Sequence, residues 1–485
     1  MAESPITDTT EAELDEVMQR AALAAPHLAA MRPGERAVLL RRAAGALDAA
    51  AEDLVPLAQA ESHLPEARCR GELARTTFQL RLFADVLDEG AYLEAAIDTA
   101  DPDWGMGPRP DLRRVLVPLG PVVVFGASNF PFAFSTAGGD TASALAAGCP
   151  VVVKGHPGHP RLTRRTAEVL TAALAEAGAP AGTFAVVYGV ETGARAVRHP
   201  HTKAVGFTGS IPGGRALFDL AASRPDPIPF FGELGSLNPV FATSAAVAER
   251  GDEILAGYAD SFTLGSGQFC TKPGVLLVPE GTKLDALVDT IAGRGPAALL
   301  NERVQSGFES GLASLVEHPS VEVLVHGRAT AGEWTPTLLR TDAAALLDHG
   351  DTLLAECFGP TSIVVDYTDE QQLLDIAASL HGQLTATVHG REDDTVVPAL
   401  LAILAQKAGR LLWNGWPTGV SVTHAMTHGG PYPASTSAST SVGSTAIGRF
   451  LRPVSYQSVP QALLPEALRD ANPLDLPRRR NGRPE

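Results

Sequence analysis

Pro121-Val122-Val123-Val124-Phe125-Gly126 and Val151-Val152-Val153-Lys154 are short β-branched runs, and the stretch Thr136–Ala147 between them is spaced as a helix. The alternation continues with helix Leu162–Ala177, strand Ala185–Tyr188, strand Ala204–Phe207 and helix Gly213–Ala222. Continuous apolar strands separated by helices predict a parallel, doubly wound sheet covered on both faces. Such sheets take their ligands at the carboxyl ends of the strands. Ser128-Asn129, Lys154 and Thr208-Gly209-Ser210 are therefore the first residues to inspect.

Upstream, Glu11 to Leu93 places apolar residues at three- and four-residue steps, as in Leu39, Leu40, Ala43 and Leu47, and predicts amphipathic helices. Ile97–Arg113 shifts to Asp, Pro and Gly and predicts an extended arm or linker. Leu237 to His424 predicts a second α/β unit, with strands at Val275–Val278, Val321–Val325 and Ser362–Val365. The Ser, Thr and Ala run Ser435–Ser441 reads as a loop or extended strand, and the arginine-rich end Arg478–Arg483 as a frayed, solvated tail.

The 485 residues, 45% of them hydrophobic, are enough for two or three domains with large cores. Thirty-eight basic against 55 acidic residues leave a net charge of −17, which argues against a nucleic-acid or anionic-membrane partner. No apolar run approaches a membrane span, and the opening Met1-Ala2-Glu3-Ser4 lacks the order of a secretory signal, so the expected compartment is the cytoplasm. Four cysteines, Cys69, Cys149, Cys270 and Cys357, show neither a disulfide framework nor a Cys-x-x-Cys motif. The histidine pairs His156/His159 and His424/His428 have no third ligand near them in sequence, and no metal site is expected.

Cys270 follows Gly265, Gly267 and Gln268, a setting that permits close approach of a substrate to a thiolate nucleophile; its plain alternative is a buried small hydrophobe. Glu233, between Gly232 and Gly235, can serve as a base for water, or can be a turn glutamate at the surface. Asn129 can stabilise an oxyanion with its amide, or cap a helix. Gly206 to Gly214 reads as a weak phosphate-cradling turn into a helix, and Lys154 as a ligand for ribose or phosphate.

In this order, Ser128-Asn129-Phe130-Pro131, Val153-Lys154, Phe207-Thr208-Gly209-Ser210, Glu233-Leu234-Gly235, Gly267-Gln268-Phe269-Cys270 and Glu356-Cys357-Phe358-Gly359-Pro360 resemble the aldehyde dehydrogenase superfamily over nearly the whole chain. The resemblance implies an α/β fold with a Rossmann-type nicotinamide-cofactor domain (1–94 and 114–235), an α/β catalytic domain (236–435), a small β oligomerisation arm (95–113 and 436–460) and a tail (461–485). It implies Cys270 as nucleophile, Asn129 and the Cys270 N–H as oxyanion donors, and Glu233 as the base that hydrolyses a thioester. Glu356 would hold the nicotinamide ribose with Phe358 beside the ring, and Ser210, Gly209 and Gly214 would meet the pyrophosphate. A homodimer or homotetramer is implied as well.

Many NAD-using members carry a glutamate three residues after the lysine, where this chain has Pro157. A 2′-phosphate would meet no carboxylate there and could pair with Lys154 and His156, so NADP is expected ahead of NAD. Longer strings, among them Gly138–Leu145, Asn414–Val420 and His428–Ser435, resemble the bacterial branch that oxidises 2,5-dioxopentanoate to 2-oxoglutarate. The alternatives are a medium- or long-chain aliphatic aldehyde dehydrogenase, a coenzyme A-acylating dehydrogenase, and a non-catalytic cofactor-binding relative. Substrate contacts are expected from Phe132, Ser135, Thr136, Thr418 and Val420, with Arg81 for a distal carboxylate.

Overall fold

The computed structural model describes residues 6–330 and 332–485, so the opening Met1–Ser4 lies outside the described residues. Four helices come first: α1 (Glu11–Ala30), α2 (Pro33–Ala49), α3 (Ala51–Ser62) and α4 (Glu66–Glu89). Thr10 starts α1 with a capping box, its hydroxyl accepting from Glu13 N–H while the Glu13 carboxylate accepts from Thr10 N–H. No described helix is long and apolar enough to cross a membrane.

Two strands, β1 (Ala96–Asp98) and β2 (Leu112–Pro118), then lead into the predicted parallel sheet. It comprises β3 (Val122–Phe125), α5 (Gly139–Ala147), β4 (Val151–Lys154), α6 (Pro160–Glu176), β5 (Phe184–Val187), α7 (Val190–Arg198), β6 (Ala204–Thr208), α8 (Ile211–Ala222) and β7 (Phe230–Glu233). The strand order β5-β4-β3-β6-β7 reverses at β3, so the loops after β3 and β6 diverge and leave a crevice between them. Residues alternate across the sheet. Val122, Val124, Val151 and Val153 pack on α2, α3, α4, α5 and α6, whereas Val123, Phe125 and Val152 pack on α1, α7 and α8. α5 starts at Gly139, three residues later than the sequence suggests, because Gly138 is extended and the chain doubles back on Ala133.

The second unit opens with β8 (Val240–Ala242), α9 (Ser244–Thr263) and β9 (Val275–Pro279). Its seven-stranded sheet runs Glu322–Val325, Thr337–Asp342, Thr361–Tyr367, β9, β8, Gln383–His389, Ala408–Trp413, and all neighbours are parallel except the first pair. The sequence reading located three of these strands and missed four. Thr385, Thr387 and Gln383 break the apolar run of one missed strand, although all seven of its residues are buried.

The arm is larger than expected. β2 continues to Pro118 and pairs antiparallel with Leu451–Gln457 and with β1. The arginine-rich end is not frayed: Arg479–Arg480 pairs parallel with β1, and Arg483–Pro484 folds back on it. Arg478 is 5% exposed and donates to the Arg469 and Asp470 carbonyls and to the Glu485 carboxylate. A run of cations looks like a tail only while its acceptors are unseen. Removing residues 478–485 is expected to lower the thermal unfolding midpoint, with a loss of about 2–4 kcal/mol from the exposed edge and unpaired acceptors; an unchanged midpoint by calorimetry would show the tail to be dispensable.

Candidate active site

Glu233 ends β7, and its backbone is held from two sides: Gly209 N–H donates to its carbonyl at 3.0 Å, and Leu234 N–H donates to Ala434 at 2.8 Å. Its carboxylate is 3% exposed. Oε1 stands 2.8 Å from His428 Nε2, and Oε2 accepts from Ser441 Oγ at 2.5 Å. Burial pushes the carboxyl up, but the charge and hydrogen bonding of His428, the Ser441 hydroxyl and the Arg449 charge outweigh it and hold the group below the ordinary carboxyl range.

Cys270 leaves a tight turn in which Gly265, Ser266 and Gly267 are all left-handed, with φ of 55°, 56° and 65°. A side chain at Gly267 would also strike the Gly359 carbonyl, so glycine is required there on both counts. Asn238 clamps the other end, its amide donating to the carbonyls of Cys270 at 2.8 Å and Lys272 at 3.0 Å. Lys272, buried, donates from Nζ to the Cys357 and Thr361 carbonyls and so ties the cysteine loop to the Glu356 segment.

The sulfur lies 3.5 Å from His428 Nε2, the same nitrogen that faces Glu233. Burial and the Glu233 and Glu356 carboxylates push the thiol well above its ordinary value, against the smaller pull of Arg75 and Arg410. The resting sulfur therefore holds its proton at neutral pH, and His428 is the base within reach. Nε2 holds one proton at a time: protonated, it donates to Glu233, and it accepts from Cys270 only as the neutral imidazole with its proton on Nδ1. Sequence reasoning gives this histidine no catalytic role because it lies 158 positions from Cys270; in sequence it stands out only beside His424 and within His428–Ser435.

Asn129 is no helix cap: Nδ2 donates to the Gln268 carbonyl at 3.3 Å, two residues before the nucleophile. Around this point Phe130, Phe134, Phe269 and Val442 form an apolar mouth, with Val420, Val422 and Met426 packed against it. Val420 packs against this cluster, while Thr418 is spent on Ser261, to which it hydrogen-bonds at 2.5 Å. Phe132 does not line the mouth. The N–H groups of Phe132 and Ala133 are both bound to the buried Glu72 carboxylate, which fixes a turn that sends Phe132 into the amino-terminal core. Ser135 and Thr136 are each 1% exposed and buried in the same turn. Arg81 pairs with Asp48 at 2.6 Å on the outer surface of α4, its side chain 44% exposed, and is not part of the site.

Along the cofactor crevice, Lys154 closes β4, is 8% exposed, and its ammonium makes no hydrogen bond among the described residues. Burial brings its ammonium down to about 8, with Arg303 pulling the same way. His156 accepts the Gly158 N–H on Nδ1, and burial together with His159, Lys154 and Arg303 keeps it well below its ordinary value, hence uncharged. Ser210 is the N-cap of α8 and accepts from Gly213 N–H, while Gly214 packs against Leu234 too closely for any side chain. Glu356 Oε2 occupies the space a Gly235 side chain would need, and burial pushes its carboxyl up to about 7. Phe358 is half-buried two residues on. A buried lysine ammonium without a hydrogen-bonded anion, the positive end of α8 and a carboxylate fit a ribose-phosphate cofactor.

The Glu233, Cys270 and His428 donor atoms lie within 4.8 Å of one another, so the structure gathers a three-donor group that histidine spacing gave no reason to expect. If His428 takes the thiol proton, iodoacetamide alkylation of Cys270 in the resting protein keeps rising with pH beyond the ordinary thiol range, and His428→Ala slows it about 10²-fold at neutral pH. A rate already flat below pH 7.5 would mean a preformed thiolate and would remove that role.

Comparison with known proteins gives the family. The aldehyde dehydrogenase family model matches residues 4–307. Alpha-ketoglutaric semialdehyde dehydrogenase of Acinetobacter baylyi is 45% identical, covering 92% of this chain and 87% of that protein. Alpha-ketoglutaric semialdehyde dehydrogenase 2 of Azospirillum brasilense is 47% identical, covering 93% and 87%. A putative methylmalonate-semialdehyde dehydrogenase from Sinorhizobium meliloti, solved with NAD, superposes with a TM-score of 0.78 over 93% of this chain and 91% of that one at 20% identity, a likeness of fold. On its sequence, its fold and its match to the family model, the chain belongs to the aldehyde dehydrogenase family.

Proposed function

We propose that the protein oxidises 2,5-dioxopentanoate to 2-oxoglutarate with a nicotinamide cofactor, NADP ahead of NAD, as a cytoplasmic homodimer or homotetramer. The observation that carries the chemistry is the contact of His428 Nε2 with both Cys270 Sγ and Glu233 Oε1. The substrate rests on the two semialdehyde dehydrogenases that share 45% and 47% of its residues.

His428 takes the thiol proton as Cys270 attacks the aldehyde carbon, and the Asn129 amide with the Cys270 N–H receives the negative charge that grows on oxygen. A bound nicotinamide would supply the hydride acceptor, and loss of hydride from the thiohemiacetal carbon leaves a thioester on Cys270. Glu233, poised as a carboxylate by His428 and Ser441, then takes a proton from water as it attacks the thioester, and the acid leaves with Cys270 restored. A carboxylate placed for water favours hydrolysis over transfer to coenzyme A.

Lys154, Ser210, Gly209, Gly214, Glu356 and Phe358 would hold the cofactor. The preference for NADP is supported by Pro157 in place of an acid and by the positive charge of Arg303 beside Lys154. His156, uncharged, serves there as a hydrogen-bonding group rather than a cation.

Reduced-cofactor absorbance with dioxopentanoate, medium and long aliphatic aldehydes, each with NAD and NADP, is the direct test. Dioxopentanoate with NADP should give the highest kcat/KM, and Cys270→Ala should give none; an aliphatic aldehyde ahead would overturn the substrate, and NAD ahead the cofactor. Coenzyme A should not accelerate turnover. Because Glu356 ionises near 7, its carboxylate form, the better acceptor for a ribose hydroxyl, grows from pH 6 to pH 8. Cofactor affinity by fluorescence quenching should rise over that range in the wild type and stay level in Glu356→Gln; parallel profiles would place Glu356 elsewhere.

A further inference from the structure

Helix α4 turns one polar stripe towards the turn after Asn129: Arg68, Glu72, Arg75 and Gln79, spaced three or four residues apart. Two of its members have partners in the fold, although Glu72 Oε2 meets only the Arg68 charge and no hydrogen-bond donor. The Arg68 guanidinium donates to the Asn129 carbonyl at 3.3 Å, lies 3.6 Å from Glu72, and stacks over Phe130 and Phe269 at 4.6 and 4.3 Å. Glu72 receives two backbone N–H groups.

Arg75 has no such partner. Its Nε and Nη2 are buried without a hydrogen-bond partner, and its side chain makes no close ion pair among the described residues. It rests instead on two rings of the apolar mouth, 5.8 Å over Phe130 and 5.3 Å over Phe134. Phe134 in turn lies 6.1 Å from the His428 ring, so one aromatic side chain separates the guanidinium from the histidine that touches Cys270. Burial pulls its pKa down, against the opposing charges of Cys270 when ionised and of the Glu72 and Glu233 carboxylates. A buried guanidinium with open donors is costly unless an anion completes it.

Arg410, the other cation felt by Cys270, is already employed: it donates to the Pro417 and Gly419 carbonyls and holds the loop that carries Val420.

We infer that Arg75 is the specificity residue that binds the carboxylate of the substrate, its planar fork meeting the acid end while the aldehyde end reaches Cys270. This rests on the substrate class proposed above. A five-carbon chain separates its two ends by about 5 Å when extended, so the cation that meets the acid end must lie close to the nucleophile, and Arg75 lies across the Phe134 ring from His428. A carboxylate also suits the guanidinium's paired donors better than any uncharged chain end, which would leave them unmet.

The test compares dioxopentanoate with hexanal in wild type, Arg75→Met and Arg75→Lys. The kcat/KM ratio of the two substrates should fall at least ~30-fold in Arg75→Met, mainly through KM, and by less in Arg75→Lys, which keeps the charge but not the fork. Inhibition of hexanal oxidation by 2-oxoglutarate should weaken in the same order. If wild type does not prefer dioxopentanoate, the substrate reading fails; if it does and both variants keep the ratio, Arg75 is not the anchor. Equal losses on both substrates, with slower iodoacetamide alkylation, would overturn the anchor in favour of a role in stabilising the thiolate. Should Arg75→Met not fold, the ratio in Arg75→Lys decides.

Discussion

A carboxylate sealed from water must have its charge balanced by fixed neighbours, and Glu233 draws those neighbours from distant parts of the chain. His428 contacts one oxygen, Ser441 hydrogen-bonds the other, and Arg449 contributes its charge while paired with Asp140 on α5. Meeting these demands threads the segment 428–449 over the end of β7. The same segment brings Val442 to the apolar mouth and continues into the Leu451–Gln457 strand of the arm. Site, mouth and arm are thus held in one register by the need to solvate a single buried charge.

The two parallel sheets supply what that charge needs to act on. Strand reversal at β3 opens the crevice for a cofactor, and Asn129 leaves the same strand end to reach the cysteine loop. Lys272 and Asn238 then brace that loop from the catalytic side, so the nucleophile is fixed by donors to its backbone while its sulfur stays partly accessible. Rigid backbone with a mobile proton is a workable arrangement for a thiol whose resting state is protonated.

Much of this was legible because it is local. β-branched runs and helical spacing marked β3, β4 and β6, and the glycines around Cys270 and Glu233 marked turns that carry reactive groups. Threonine-rich strands were missed, since Thr385 and Thr387 look polar in sequence and are buried in the sheet. His428 and Ser441 were missed for another reason, since their partners lie 158 and 208 positions away, and Arg75 because its distinction is the hydrogen-bond partner it lacks. Arg81 illustrates the converse error. Two turns of α4 separate it from Arg75's neighbourhood, and helical phase placed it on the solvent side with Asp48.

The assignment of Arg75 has an electrostatic corollary for the thiol. An unpaired guanidinium pulls the Cys270 pKa downward, whereas a bound substrate carboxylate cancels that pull. Substrate binding would therefore make the sulfur harder to ionise at the moment it must attack. An enzyme relying on a free thiolate would lose rate to its own substrate, but one whose base touches the sulfur need not. His428 backed by Glu233 can take the proton as the carbon–sulfur bond forms, and the charge appears on the aldehyde oxygen near Asn129 instead of on sulfur. The buried histidine and the buried arginine are on this view two answers to one problem: recognising an anion beside a group that must give up a proton.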